Sequence, residues 1–207
     1  MRGDISEKAF LALAGFLLGY MSDKLASALK RPAAGFFFCG FPVPQAMCGA
    51  LFVLFGFRQE GMALCFVAAY AFIYSTIALV DLRCFLVPNA LVASGFGVAL
   101  LKACFDMDKS AAPFASLAIG AALCFAIALP LALAKALGMG DAKLFALSGA
   151  ALGLRGAITS LALAFALAGI VCAALLALKK AKRETRIPLA PFLAAGAAIV
   201  SAFLPEI

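Results

Sequence analysis

The sequence predicts an all-α, polytopic membrane protein of about eight helical segments, some of them short, with its N-terminus outside. Three observations lead there. Hydrophobic residues make up 66% of the 207 positions and the mean hydropathy is +1.12, more apolar surface than one soluble core of this size can hide. The apolar runs are continuous rather than alternating, which favours helices over the strands of a closed barrel, the other structure that satisfies its backbone in lipid. The Lys and Arg residues fall largely between these runs, as determinants of membrane orientation do.

Taken in order, the first segment covers residues 9–22. It is short enough to resemble a signal peptide, but further apolar segments follow and no clear small-residue cleavage site stands after it, so it reads as a retained span. Residues 23–44 form a short loop containing Pro32, Pro42 and Pro44. The remaining segments run over 45–57, 61–80, 87–101, 111–137, 142–154, 156–178 and 187–204. The third, fifth and seventh are long enough to cross a hydrocarbon core of roughly 30 Å. The second and sixth, at 13 residues each, reach only about 20 Å. Such short segments need flanking residues, a thinned bilayer or a wet cavity inside the protein. Two regions follow: residues 1–44, a span with its loop, and residues 45–207, a membrane-embedded domain.

With the N-terminus outside and eight alternating spans, eleven of the 17 basic residues face inward and six outward. The positive-inside rule therefore selects this orientation. It puts Asp81, at the inner end of the third segment, and Asp141, at the junction of the fifth and sixth, on the same cytosolic side. The net charge of +7 serves this topology; no basic stripe with interleaved aromatics exists to suggest a nucleic-acid partner. The basic run Lys179–Arg186 anchors orientation and attracts anionic lipid. The seven cysteines include no Cys-x-x-Cys and the chain has no His, so neither a disulfide framework nor a metal site is expected. The bilayer is the expected environment, and no cofactor is implied.

A carboxylate near the hydrocarbon region costs about 3 kcal/mol on insertion scales, which makes intramembrane acids functional candidates. Asp81 follows Ile77-Ala78-Leu79-Val80 and precedes Leu82-Arg83; its bland role is a helix-end acid paired with Arg83. Asp141 closes Gly138-Met139-Gly140-Asp141 and could simply cap the next helix. Gly138 and Gly140 allow a close backbone or ligand approach. Two adjacent carboxyls cannot both ionise easily and share a proton. One can then deprotonate water while the other protonates a scissile carbonyl oxygen. Without His, no Ser–His or Cys–His dyad competes for this role.

These residues carry a resemblance. Asp81-Leu82-Arg83 leading to Pro88-Asn89, then Gly138-Met139-Gly140-Asp141-Ala142-Lys143-Leu144, then Ile187-Pro188-Leu189-Ala190-Pro191-Phe192, resemble in matching order the prepilin peptidases among the GxGD aspartyl peptidases. The resemblance runs from about residue 45 to the end. It implies that Asp81 and Asp141 are the catalytic pair of an aspartic endopeptidase in the cytoplasmic (inner) membrane. The implied substrates are type IV prepilins or pseudopilins, whose leaders are cut at the cytosolic face, in type IV pilus or protein-secretion systems. Lys143 matches the family's basic residue after the GxGD and either snorkels to the interface or touches substrate. Pro88-Asn89 is expected to stop one helix and cap the next, and Pro188 and Pro191 to open the last span. Gly15-x-x-x-Gly19 and Gly149-x-x-x-Gly153 suggest close helix packing.

Larger relatives carry a cytosolic insertion with paired Cys-x-x-Cys motifs, associated with N-methylation. Here residues 23–44 keep only Cys39, so the tetracysteine metal pattern is absent and methyltransferase activity is expected to be absent too. Three alternatives compete. A presenilin-like intramembrane protease would show a Tyr-Asp pair and Pro-Ala-Leu; Val80 precedes Asp81 and Pro-Ala-Leu does not occur. A proton or cation transporter could use the same two acids, but no inverted repeat is evident. A catalytically silent assembly factor would have no need of both acids.

Overall fold

A computed structural model describes residue 50 and residues 62–106, 112–135, 137–179 and 187–203. The expected segment 9–22, the segment 45–57 apart from residue 50, the loop 23–44 and the basic run from Lys180 to Arg186 lie outside the described residues. Among the described residues there are five helices and no strand. They are α1 (Met62–Cys84), α2 (Asn89–Phe105), α3 (Pro113–Leu133), α4 (Met139–Ala177) and α5 (Ala190–Phe203). α1, α3 and α4 are long and apolar enough to cross a membrane.

The helix ends follow local chemistry. α1 runs one turn past Asp81 and stops in a left-handed cap: Phe85, at φ 49°, donates its N–H to the Asp81 carbonyl at 2.8 Å. Lys135 (φ 59°) and Lys179 (φ 54°) take the same left-handed conformation after α3 and α4, where a cation also suits the negative end of the helix. Proline opens α3 at Pro113, where its missing N–H costs nothing. Ser75 and Thr76 return their hydroxyls to the carbonyls of Ala71 and Phe72, so neither carries a naked polar group into the packed interior.

α4 contains the largest departure from the expected segmentation. Its 39 residues hold a non-helical Gly153 (φ 72°, ψ 174°), a combination that is essentially glycine-only. The chain breaks there rather than at Arg155, two residues later. Beyond the break, Gly156 lies near Val200 and Gly196 abuts the Ser160 carbonyl. Contacts thus move up α5 as they move down α4, and the second arm of α4 runs antiparallel to α5. The first arm packs on α3 through backbone-to-backbone contact of Gly149 with Gly120, as small residues permit in membrane helices. Both glycines of the expected Gly149-x-x-x-Gly153 pair lie against Gly120 of α3, and Gly153 also makes the break.

Packing comes from small residues as much as large ones. Ala71, Ala78, Ala194, Ala197 and Ala198 are fully enclosed beside Tyr74, Ile77, Leu144, Leu147 and Leu193. The outward faces of α3 and of the second arm of α4 carry exposed Ile119, Leu123, Ile127, Phe165 and Ile170, an apolar exterior suited to lipid.

Candidate active site

The end of α1 and the starts of α2, α4 and α5 meet on one face, and Asp81, Asn89, Gly140, Asp141 and Lys143 lie there. Asp81 is 5% exposed on α1. Its Oδ2 accepts the backbone N–H of Ala190 at 3.0 Å across 109 residues of sequence. Ala190 is the first residue of α5, and its N–H is one of the donors a helix start leaves open. Pro191, the next residue, has no N–H to leave unsatisfied. Pro188-Leu189-Ala190-Pro191 therefore keeps only the Leu189 and Ala190 N–H groups, and Asp81 takes that of Ala190 at the positive end of the helix. A charge-assisted bond of this kind contributes about 1.5–3 kcal/mol. Asp81 is held twice, by its backbone carbonyl in the α1 cap and by its carboxylate on α5.

Asp141 sits in the first turn of α4, whose cap is Gly138. It is thus the third residue of the helix rather than its cap, and its carboxylate reaches back to the Gly138 N–H, half of a capping box. Gly138 fits because a Cβ there would stand 2.9 Å from Asp141 Oδ2. Gly140 fits because a Cβ would stand 2.8 Å from Val87 Cβ. The glycines of the GxGD segment thus let Asp141 fold back on its own helix start and let the chain ahead of Pro88 pass close by.

The two aspartates come together through the register of their helices. Tyr74 Oη and Ser148 Oγ are 2.8 Å apart, a buried side-chain bond that bridges α1 and α4. Asp81 lies seven residues after Tyr74 and Asp141 seven residues before Ser148. In antiparallel helices these offsets are equal in depth and face, about 10.5 Å along each axis. The carboxyl of Asp141 acts electrostatically on that of Asp81.

The other motif residues flank the pair. Pro88 caps α2 in extended conformation (φ −68°, ψ 124°) without a side-chain bond. Asn89 does not cap, in contrast to expectation: as the first residue of α2 it accepts Lys143 Nζ on Oδ1 at 3.0 Å, tying α2 to α4. Above that tie an apolar cleft of about 570 Å³ opens between α2 and α3, lined by Val92, Phe96, Ala121, Phe125 and Ala146 among others. The side chain of Arg83 lies outside the described residues, so its pairing with Asp81 is not seen. No cluster of three or more His, Cys, Asp and Glu that could hold a metal occurs among the described residues.

Sequence reading missed Ala190, Tyr74 and Ser148. Ala190 contributes only backbone, and its sole signal was its place between two prolines. Tyr74 and Ser148 are polar groups inside apolar runs, a signal that was present and passed over.

No curated protein and no solved structure gives a significant match to this chain. The model of the type IV leader peptidase family does match, over residues 64–176. That stretch is just over half of the 207 residues, and it contains both aspartates, Pro88-Asn89 and the whole GxGD segment. With a helical membrane architecture around them, the chain belongs to the type IV leader peptidase family.

Proposed function

We propose that this protein is an aspartic endopeptidase of the cytoplasmic membrane, cutting the leaders of type IV prepilins or pseudopilins at the cytosolic face with Asp81 and Asp141. The carrying observation is that the buried Tyr74–Ser148 bond bridges α1 and α4 seven residues from each of the aspartates, which are 60 positions apart in the sequence, near the end of the fold where Asp81 also meets the start of α5. Family membership supports a peptidase acting on leader-bearing proteins.

In the reaction, one carboxylate takes a proton from water as the oxygen attacks the scissile carbonyl carbon. The partner carboxylic acid gives its proton to the carbonyl oxygen. The resulting tetrahedral adduct collapses as the C–N bond breaks, and the amine leaves with a proton returned from the dyad. The Ala190 and Gly138 N–H groups keep both carboxyls oriented between these steps. The loop 23–44 with its single Cys39 supports a peptidase without methyltransferase activity.

Co-expression with candidate prepilins tests this reading, following leader loss by gel mobility and mass spectrometry. Asp81→Asn and Asp141→Asn each abolish processing while the protein stays in the membrane. Normal processing by either variant sinks the dyad. A mature N-terminus heavier by one methyl group overturns the single-activity reading.

A further inference from the structure

Asp81 and Asp141 stand on separate helices, α1 and α4, whose backbones do not pack closely on each other, so the buried side-chain bond between Tyr74 and Ser148 links their levels directly. We propose that Tyr74 and Ser148 are positioning residues, a polar latch that fixes the register of α1 on α4 and so keeps the two aspartates opposed. The proposal rests on the aspartates being the catalytic pair.

The bond geometry defines the latch. Tyr74 Oη and Ser148 Oγ share a hydrogen bond at 2.8 Å, and Ser148 Oγ also lies 3.2 Å from the Leu144 carbonyl. Both side chains are enclosed, Tyr74 at 2% and Ser148 at 0% exposure. Water therefore does not replace either partner. From the latch, each aspartate is seven residues away in the direction of the shared face. Seven residues fall about 20° short of two full turns, so each aspartate projects from nearly the same side of its helix as its latch residue. Sliding by one helical turn would separate the carboxyls by about 5.4 Å and break the buried Tyr74–Ser148 bond. A buried polar pair that fixes the register of one apolar helix against another is a recognised device.

The fold supplies its own control. Tyr70 lies one turn earlier on α1, and its hydroxyl is buried without a hydrogen-bond partner among the described residues. Removing it deletes the same atom from the same helix and leaves the latch intact.

The test measures register without requiring catalysis. In the full-length chain with its native cysteines replaced by alanine, Asp81 and Asp141 are both changed to Cys and treated in membranes with a short bis-thiosulfonate cross-linker. The intramolecular cross-link is scored by gel mobility. Tyr74→Phe and Ser148→Ala reduce its yield several-fold, whereas Tyr70→Phe leaves it unchanged. With both aspartates restored, Tyr74→Phe lowers kcat for leader cleavage by roughly tenfold to a hundredfold at unchanged KM. Equal cross-linking yields for Tyr74→Phe and its parent overturn the proposal, as does equal loss in Tyr70→Phe and Tyr74→Phe. A wild-type chain that cleaves no prepilin overturns the peptidase reading instead, and the cross-linking comparison still decides the latch.

Discussion

Asp81 and Ala190 form a side-chain to backbone bond that ties the first described helix to the last. Its donor is a peptide N–H, so no side-chain deletion at position 190 removes it. Ala190→Pro does. Proline suits the first position of a helix, and the residue before it, Leu189, already precedes the helix. α5 therefore stays folded while Asp81 loses its donor. Leader cleavage is expected to fall about tenfold or more, from the loss of a charge-assisted bond, at unchanged protein level on a quantitative immunoblot of the membrane fraction.

Gly153 should not tolerate a side chain. A Cβ there meets nothing within 4 Å, so sterics with neighbours cost nothing and the backbone conformation decides. Gly153→Ala is expected to destabilise the protein by about 1–3 kcal/mol, read as a lower thermal midpoint in detergent. An unchanged midpoint would mean that the reversal in α4 does not need φ 72°.

Gly149 and Gly97 form a matched pair with opposite outcomes. A Cβ on Gly149 would run into the Gly120 carbonyl and stand 2.6 Å from Cys124 Sγ, whereas one on Gly97 meets nothing. Gly149→Ala forces α3 away from α4 and is expected to cost at least about 1–3 kcal/mol, as overpacked cores do. Gly97→Ala, in an ordinary helical position, is expected to stabilise by up to about 1 kcal/mol. Both are read by the same melting experiment, and a reversed order would refute the α3–α4 contact.

Breaking the tie between Lys143 and Asn89 separates two readings of the lysine. Asn89→Ala removes the acceptor at 3.0 Å but leaves the charge. If Lys143 contacts substrate, Lys143→Met raises KM for prepilin more than Asn89→Ala does. If the lysine only braces α2 against α4, the two variants lower kcat alike.

Much of this site could be read from the chain because its chemistry is costly in lipid. Two acids, three prolines and two glycines stand out against alanine and leucine, and all of them meet at one end of the fold. The faces on which the helices pack could not be read in the same way. Ile170 faces outward and Ile77 inward, yet both are isoleucines in apolar runs, since lipid and protein interior ask for the same side chains. Periodicity, the usual guide to a buried face, is therefore weak here. The break at Gly153 was displaced toward Arg155 because a charge marks a boundary in sequence, whereas backbone conformation makes it. A cap was the plain alternative for Asp141 because Asp is a common one; Gly138 fills that place and leaves Asp141 to reach back.

The long reach from Asp81 to Ala190 also sets an order of events during synthesis. When α1 enters the bilayer, the donor for its carboxylate has not yet been made. At about 5–20 residues per second, the intervening 109 residues take roughly 5 to 20 s to emerge. Through that interval the nascent chain holds an acid with no α5 to orient it, and a ribosome stalled before Pro188 leaves Asp81 without that bond.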